Sequence, residues 1–285
     1  MLQRTGITFL AVLLVLTVWG CDDDSPTGPN LDDVPDSPTM EEVDMDFSVF
    51  SNAQNYGAHK IMDSEDFDQV RTFLQNNPAD NPYEQAALMA FAAESWFQVL
   101  GQFPNTYFQQ HQWGDPERDG DTWIWEWQVN IEGESVSMVI TAEPVGDERH
   151  WEMRYSAQGV DGQDDFEDVL FIAAQVALDG SGGAWQMYNF TSEPDDPVFS
   201  MDYALNEDLT TMVDLRFQEE DDDDSRILYE SDGATGSLQL WGLSGNQSHS
   251  LLNWNNDTGT GFIESPDFRD GERICWNDSY QETDC

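Results

Sequence analysis

The chain has 285 residues, 57 of them acidic and 10 basic, for a formal charge of −47. A surface this negative repels phosphate backbones and anionic headgroups, which excludes nucleic acid as a partner and excludes electrostatic docking on acidic lipid. Abundant Asp beside a single lysine, Lys60, suits a protein that folds in strong salt, where the Debye length shrinks to about 3 Å at 1 M; the other reading is a cation-binding surface.

The first 21 residues carry Arg4, an apolar stretch from Ile7 to Val18, then Trp19, Gly20 and Cys21. Twelve apolar-biased residues are too few to cross a bilayer, which needs roughly 20. A basic start, an apolar centre and a small residue just before a cysteine resemble the signal peptide and lipobox of bacterial lipoproteins. Val18, Gly20 and Cys21 fit that pattern, whereas Trp19 stands where a small or β-branched residue is usual. The resemblance covers residues 1–21 only. It implies cleavage after Gly20, lipid on Cys21, and an exported protein of the cell envelope held to a membrane by its anchor. Asp22, Asp23 and Asp24 directly after the cysteine resemble a surface-export signal, which favours the outer membrane or cell surface over the inner membrane. Cleavage leaves 265 residues, with nine basic and all 57 acidic ones, a formal charge of −48.

Residues 21–46 read as the lipidated cysteine and a disordered acidic tether, rich in Asp and Pro. A single globular domain is expected over 47–285. Its N-terminal part predicts helices over about 64–76 and 82–100. Ser64 caps the first, with Phe67, Val70 and Leu74 on one face. Asn81, Pro82 and Glu84 give the second a cap, a proline at the first helical position and an acid three residues after the cap. Gly101 suits its end. The second helix is apolar almost all round, from Ala86 to Phe97, and so belongs against a sheet.

From about residue 105 to 276 the period falls to two. Trp123, Trp125, Trp127, Val129 and Ile131 alternate with polar or exposed-type residues, as do Trp151, Met153 and Tyr155, and then Val213, Leu215 and Phe217. These are half-buried antiparallel strands. Val169–Ala177 is a continuous apolar run that fits a central strand or a helix. The fold class is therefore mainly β with a helical N-terminal part (α+β). A large antiparallel meander is expected, with a curled sheet, a barrel and a sandwich all compatible with the pattern. One internal repeat stands out: Asp179–Tyr188 matches Asp232–Trp241 position by position, with a shorter echo at Asp257–Phe262. Each copy reads as a Gly-rich turn feeding a strand, so that a hairpin is reused along the meander.

Three cysteines are present. With Cys21 acylated, Cys275 and Cys285 form an even pair in an oxidising compartment, as a disulfide or as two free thiols. Asp115, Glu117, Asp119, Gly120, Asp121 and Glu126 fall at calcium-loop spacing, with hard oxygens at positions 1, 3, 5 and 12 around a glycine. The segment leaving that loop alternates as a strand, which turns Glu126 away, and a solvated hairpin turn is the plainer reading. Glu219–Asp224 is a solvated acidic loop or a weak cation site. His59, His111, His150 and His249 are scattered, and no nucleophile elbow, phosphate loop or dinucleotide fingerprint occurs. No catalytic residue and no cofactor beyond Ca2+ can be nominated. The ten tryptophans of the mature chain pack a core, line an apolar cavity or stack on sugars.

The leading expectation is thus a non-enzymatic binding or scaffold module whose partner is a protein, a glycan or an apolar ligand. The alternatives are a carrier of an apolar ligand in a tryptophan-lined β cavity and a carbohydrate-active enzyme or carbohydrate-binding module.

Overall fold

The computed structural model describes residues 34–36, 43, 45–53, 79–108, 114–131, 134–160, 165–189, 197–206, 210–218, 225–242 and 249–285. Residues 1–21, over which a signal peptide and Cys21 lipidation are expected, the helix expected over 64–76, Lys60, His59, His111 and the run Glu219–Asp224 lie outside them.

Fourteen strands follow one another in chain order: β1 Glu117–Asp119, β2 Thr122–Ile131, β3 Glu134–Val145, β4 Glu148–Gln158, β5 Phe166–Ala177, β6 Gly182–Met187, β7 Phe199–Leu205, β8 Thr211–Phe217, β9 Ser225–Ser231, β10 Thr235–Trp241, β11 His249–Asn255, β12 Gly261–Glu264, β13 Ile274–Trp276 and β14 Glu282–Thr283. Among the described residues each pairs antiparallel with the next, so spatial order equals sequence order in one 14-stranded meander. The sheet is not closed. Of the forms compatible with the pattern, the barrel is therefore not the one adopted. The ambiguous run around Val169 is strand β5. It carries two register shifts against β4, and Asp168 takes a left-handed conformation (φ 53°) at one of them. There Ser156 Oγ accepts the Asp168 N–H, and the Asp168 carbonyl accepts from Arg154 Nη1, so the bulge's polar groups stay paired.

Alternation fixes which face is buried. Along β10 and β11 every second residue is sequestered (Leu238, Leu240; Leu252, Trp254), and the intervening ones are half-buried. The sequestered face is covered by helix α1, Pro82–Tyr107, and by the segment 43–53, which ends in a short 3-10 turn, Ser48–Ala53. Val43 and Met45 already belong to this core, at 6% and 4% exposure. Asn81 caps α1 as its side chain predicts, accepting the Tyr83 N–H at 2.8 Å. Gln85 Oε1 reaches back to the Ala79 N–H. The helix does not stop at Gly101 but runs on to Tyr107, since a glycine inside a helix costs only about 1 kcal/mol. Ala86, Ala87, Ala90, Ala92 and Ala93 are all 0–1% exposed. These small residues let the helix lie close to its neighbours on nearly every side.

Two cross-strand rows show how the indoles fit. Trp123, Ala142, Trp151, Ala174 and Trp185 are successive register partners from β2 to β6. Gly236, Trp254, Gly261 and Trp276 are successive partners from β10 to β13. Large and small side chains alternate in both, so each wide ring lies over a small neighbour. A Cβ placed on Gly236 would sit 2.1 Å from the Trp254 ring, and one on Gly261 would sit 2.3 Å from both Trp276 and the Asn253 carbonyl. Gly183 stands in the same relation to its partner Tyr203, at 2.7 Å. The sequence repeat is thereby explained. Asp179 and Asp232 each accept the N–H two residues on, closing a turn with a left-handed glycine, Gly180 or Gly233. The strand glycine that follows makes room for an aromatic ring from the next strand.

Candidate functional site on the outer face and edges of the sheet

On the face away from α1, one charged cluster stands out. Asp214 on β8 is buried, its side chain only 6% exposed. Arg226 on β9 donates to it from Nε at 2.7 Å and Nη2 at 2.8 Å, and Arg216 donates from Nε and Nη2. Burial pushes the Asp214 carboxyl up, but the hydrogen bonds and charges of the two guanidiniums outweigh it and leave the pKa below the usual carboxylate value. The same bonds outweigh desolvation at Arg216 and raise its pKa. Arg226 also lies over the Trp241 ring at 4.8 Å, and His249 stacks on that ring at 4.7 Å. The row Arg216, Arg226, Trp241, His249 thus crosses four neighbouring strands. Trp241 is thus packed by Arg226 from β9 and by His249 from β11. Arg273 similarly covers Phe262, at 4.3 Å. Spacing gave no warning of this cluster. The available signal was compositional: two of ten basic residues fall on adjacent strands, near an Asp inside an apolar run.

The calcium-loop residues come out as a hairpin. Asp119 pairs with Thr122, so Gly120 and Asp121 form a two-residue turn between β1 and β2. Glu117 pairs with Ile124, and Glu126 lies further along β2, four residues beyond Thr122 or about 13 Å along the strand. Asp115, Glu117, Asp119, Asp121 and Glu126 are all exposed, and Asp121 is 3.7 Å from Arg118. The structure does not bring the five onto one centre, and among the described residues no group of three or more His, Cys, Asp or Glu side chains could hold a metal.

Cys275 and Cys285 are bonded, with Cα atoms 5.1 Å apart. The loop they close holds Tyr280 against the start of the fold. Its ring stacks on Tyr83 at 4.2 Å, its hydroxyl accepts from Asn52 Nδ2, and its carbonyl accepts from Asn81 Nδ2. Burial, reinforced by Tyr280, pushes the Tyr83 hydroxyl well above its ordinary pKa, and that hydroxyl donates to the Val49 carbonyl. Arg269 adds an ion pair to Glu282 and a bond to the Asp80 carbonyl. The C-terminal edge of the sheet is thus short, cross-linked and tied to helix α1.

The opposite edge differs. β1 covers only Thr122, Trp123 and Ile124 of β2. Over Trp125–Ile131, β2 pairs with β3 on one side and, among the described residues, with no strand on the other.

The tryptophans mostly pack the core. Trp125 stacks on Trp151 at 5.7 Å, and Phe108 meets Trp151 and Trp185 edge-on. Phe50 meets Trp254 and Trp276. The indole N–H groups of Trp185 and Trp254 are buried without an acceptor among the described residues. The chain matches no family model, no curated protein and no solved structure.

Proposed function

We propose that this protein is an exported, lipid-anchored component of the cell envelope that acts as a non-enzymatic binding or scaffold module. The observation that carries the reading is the one-sided sheet: one face is filled by α1 and an aromatic core, and the other is a broad half-exposed surface. A surface built on long hydrogen-bonded strands is rigid and suits recognition. The lipobox at Cys21 and the acidic tether supply the anchor and reach. The outer membrane or cell surface is the favoured location. The carbohydrate alternative draws less from this geometry, since Trp241 and Phe262 have ring faces taken by Arg226, His249 and Arg273. The apolar-carrier alternative keeps one supporting observation, the two buried indole N–H groups without acceptors, which would suit a polar atom of a bound ligand.

The test is fractionation combined with native mass spectrometry. The full chain should be found in the membrane fraction, and Cys21→Ser should release it or block its processing. Protein extracted in mild detergent should carry only its covalent lipid. Unchanged membrane association in Cys21→Ser would sink the anchor, and a stoichiometric non-covalent lipid would replace the binding module by the carrier.

A further inference from the structure

Residues 277–285 form a strap that is strained, lightly held and closed by an exposed sulfur. Among the described residues four non-glycine residues take a left-handed conformation, and three of them, Arg269 (φ 50°), Asp270 (φ 59°) and Tyr280 (φ 60°), lie in or beside this strap. Such a conformation persists only where surrounding contacts impose it, as in clamps and switches. Here Arg269 pairs with Glu282 and donates to the Asp80 carbonyl, while Tyr280 stacks on Tyr83 and accepts from Asn52 and Asn81. Strand β14 itself has two residues, matched to Cys275 and Trp276. The Arg269–Glu282 pair is exposed at both ends, so solvent weakens it. The covalent bond is therefore the firmest hold on residues 282–285. Cys285 is exposed and Cys275 half-buried. Exposed disulfides are the ones open to exchange, whereas stable structural ones resist it. Beneath the strap lies a joint. Tyr83 is 3% exposed, its hydroxyl donates to the Val49 carbonyl, and its ring meets Phe50 and Trp276. The turn Ser48–Ala53, the start of α1 and strand β13 thus converge on Tyr83.

We propose that Cys275–Cys285 is a thiol–disulfide exchange site, the latch of a strap that a dithiol opens. One thiolate of the dithiol attacks the exposed Cys285 sulfur. The Cys275–Cys285 bond breaks, and its electron pair leaves on the Cys275 sulfur. The second thiol of the dithiol then attacks the mixed disulfide and releases Cys285. The dithiol is oxidised to a disulfide by two electrons, the protein is reduced to two thiols, and the two protons given up by the dithiol end on Cys275 and Cys285. With the latch open, Tyr280 relaxes out of its left-handed conformation and leaves Tyr83, and Asn52 and Asn81 lose their bonds to it. The loosening has a boundary. Asp46 and Phe47 stay held by Tyr229 and Trp254, so the change is confined to the strap, Ser48–Ala53 and the start of α1. The inference goes beyond the binding-module reading and does not depend on it.

The probe is dithiothreitol, added to the oxidised full-length protein in mild detergent without denaturant. Thiols are counted by alkylation and mass spectrometry, and treated and untreated protein are compared by amide hydrogen exchange. Reduction is expected under these native conditions. Exchange should then become about fivefold or more faster over residues 277–285, 48–53 and 79–85, and change less than about twofold over β8 to β11. Oxidised glutathione should restore the starting pattern. Cys275→Ser with Cys285→Ser should show the open pattern without dithiol and ignore its addition. Tyr280→Ala keeps the bond and tests the clasp separately: exchange should rise over 48–53 and 79–85 while residues 282–285 keep their protection. A purely structural bond behaves differently. Reduction only in denaturant, loss of protection across the whole sheet on reduction, or a change limited to residues 282–285 would each overturn the proposal. Failure of the double variant to fold counts with loss across the sheet, and an unchanged pattern in Tyr280→Ala overturns the proposal as well.

Discussion

Strands β2 to β5 are 10–12 residues long, whereas β6 to β14 have 2–7. The two halves of the sheet solve one problem, how to lay wide indoles side by side, with different small partners. In the long-strand half Trp123 and Trp151 alternate with Ala142 and Ala174, and the row continues to Trp185 on the adjoining β6. In the short-strand half Trp254 and Trp276 alternate with Gly236 and Gly261. Alanine leaves the ring beside a methyl group, while glycine lets the ring lie down on the backbone. Rings laid over glycines recover apolar contact that a bare strand glycine forfeits. The short half has fewer ladder bonds per strand, and it adds such contacts together with a disulfide and the Tyr280 clasp.

The largest expected effect comes from filling that space. Gly261→Ala should cost about 3 kcal/mol, because its methyl group meets a backbone carbonyl and a Trp276 ring that is 1% exposed. Ala174→Gly in the other half should cost only about 1 kcal/mol, for lost burial and added chain entropy. Urea melts of both variants measure the contrast; equal costs would show that the two halves pack alike.

Asp214→Asn acts on the opposite face and should cost about 2–3 kcal/mol. It leaves Arg216 and Arg226 facing each other, although both are partly solvated, which keeps the loss below that of a fully buried pair. The pH dependence has a definite sign. The folded pKa of Asp214 is depressed, so its contribution is present above the ordinary carboxylate pKa and lost as pH falls through the folded value. Stability of the wild type should therefore fall more steeply than that of Asp214→Asn on the acid side of about pH 4. Parallel acid limbs would remove Asp214 from the account.

The smallest effect is expected at the β1–β2 hairpin. Molar monovalent salt should raise the melting temperature of the whole chain by screening its charge. Millimolar Ca2+ at fixed ionic strength should add little, and Asp115→Ala with Asp119→Ala should leave the response unchanged. Saturable stabilisation by Ca2+ that disappears in the double variant would make this hairpin a metal site.

Much of the fold was legible in the residues because its contacts are local. Period-two alternation, turn glycines and Asx turns name strands and hairpins without distant information, and a meander needs no more than each strand pairing with the next. The cap at Asn81 is local too. The helix end was misplaced at Gly101 because a propensity of about 1 kcal/mol yields to context. The outer-face cluster was not legible, because Asp214, Arg216, Arg226, Trp241 and His249 meet through register between strands, which no spacing in one segment encodes. The calcium spacing was legible as a pattern, but its geometry was not: a two-residue turn carries Glu126 along the strand, away from Asp119.

By itself the sequence determined the charge, the strand periodicity, the repeated Gly-rich turns and the cap of α1, since each depends on neighbours within a few residues. Only the tertiary structure decided that the sheet stays open, that β14 is tied down by the disulfide, and that glycines sit under rings from the next strand. Those features depend on which strand ends meet and on what fills the space between them. That is settled when the whole chain packs, and no local stretch of residues carries it.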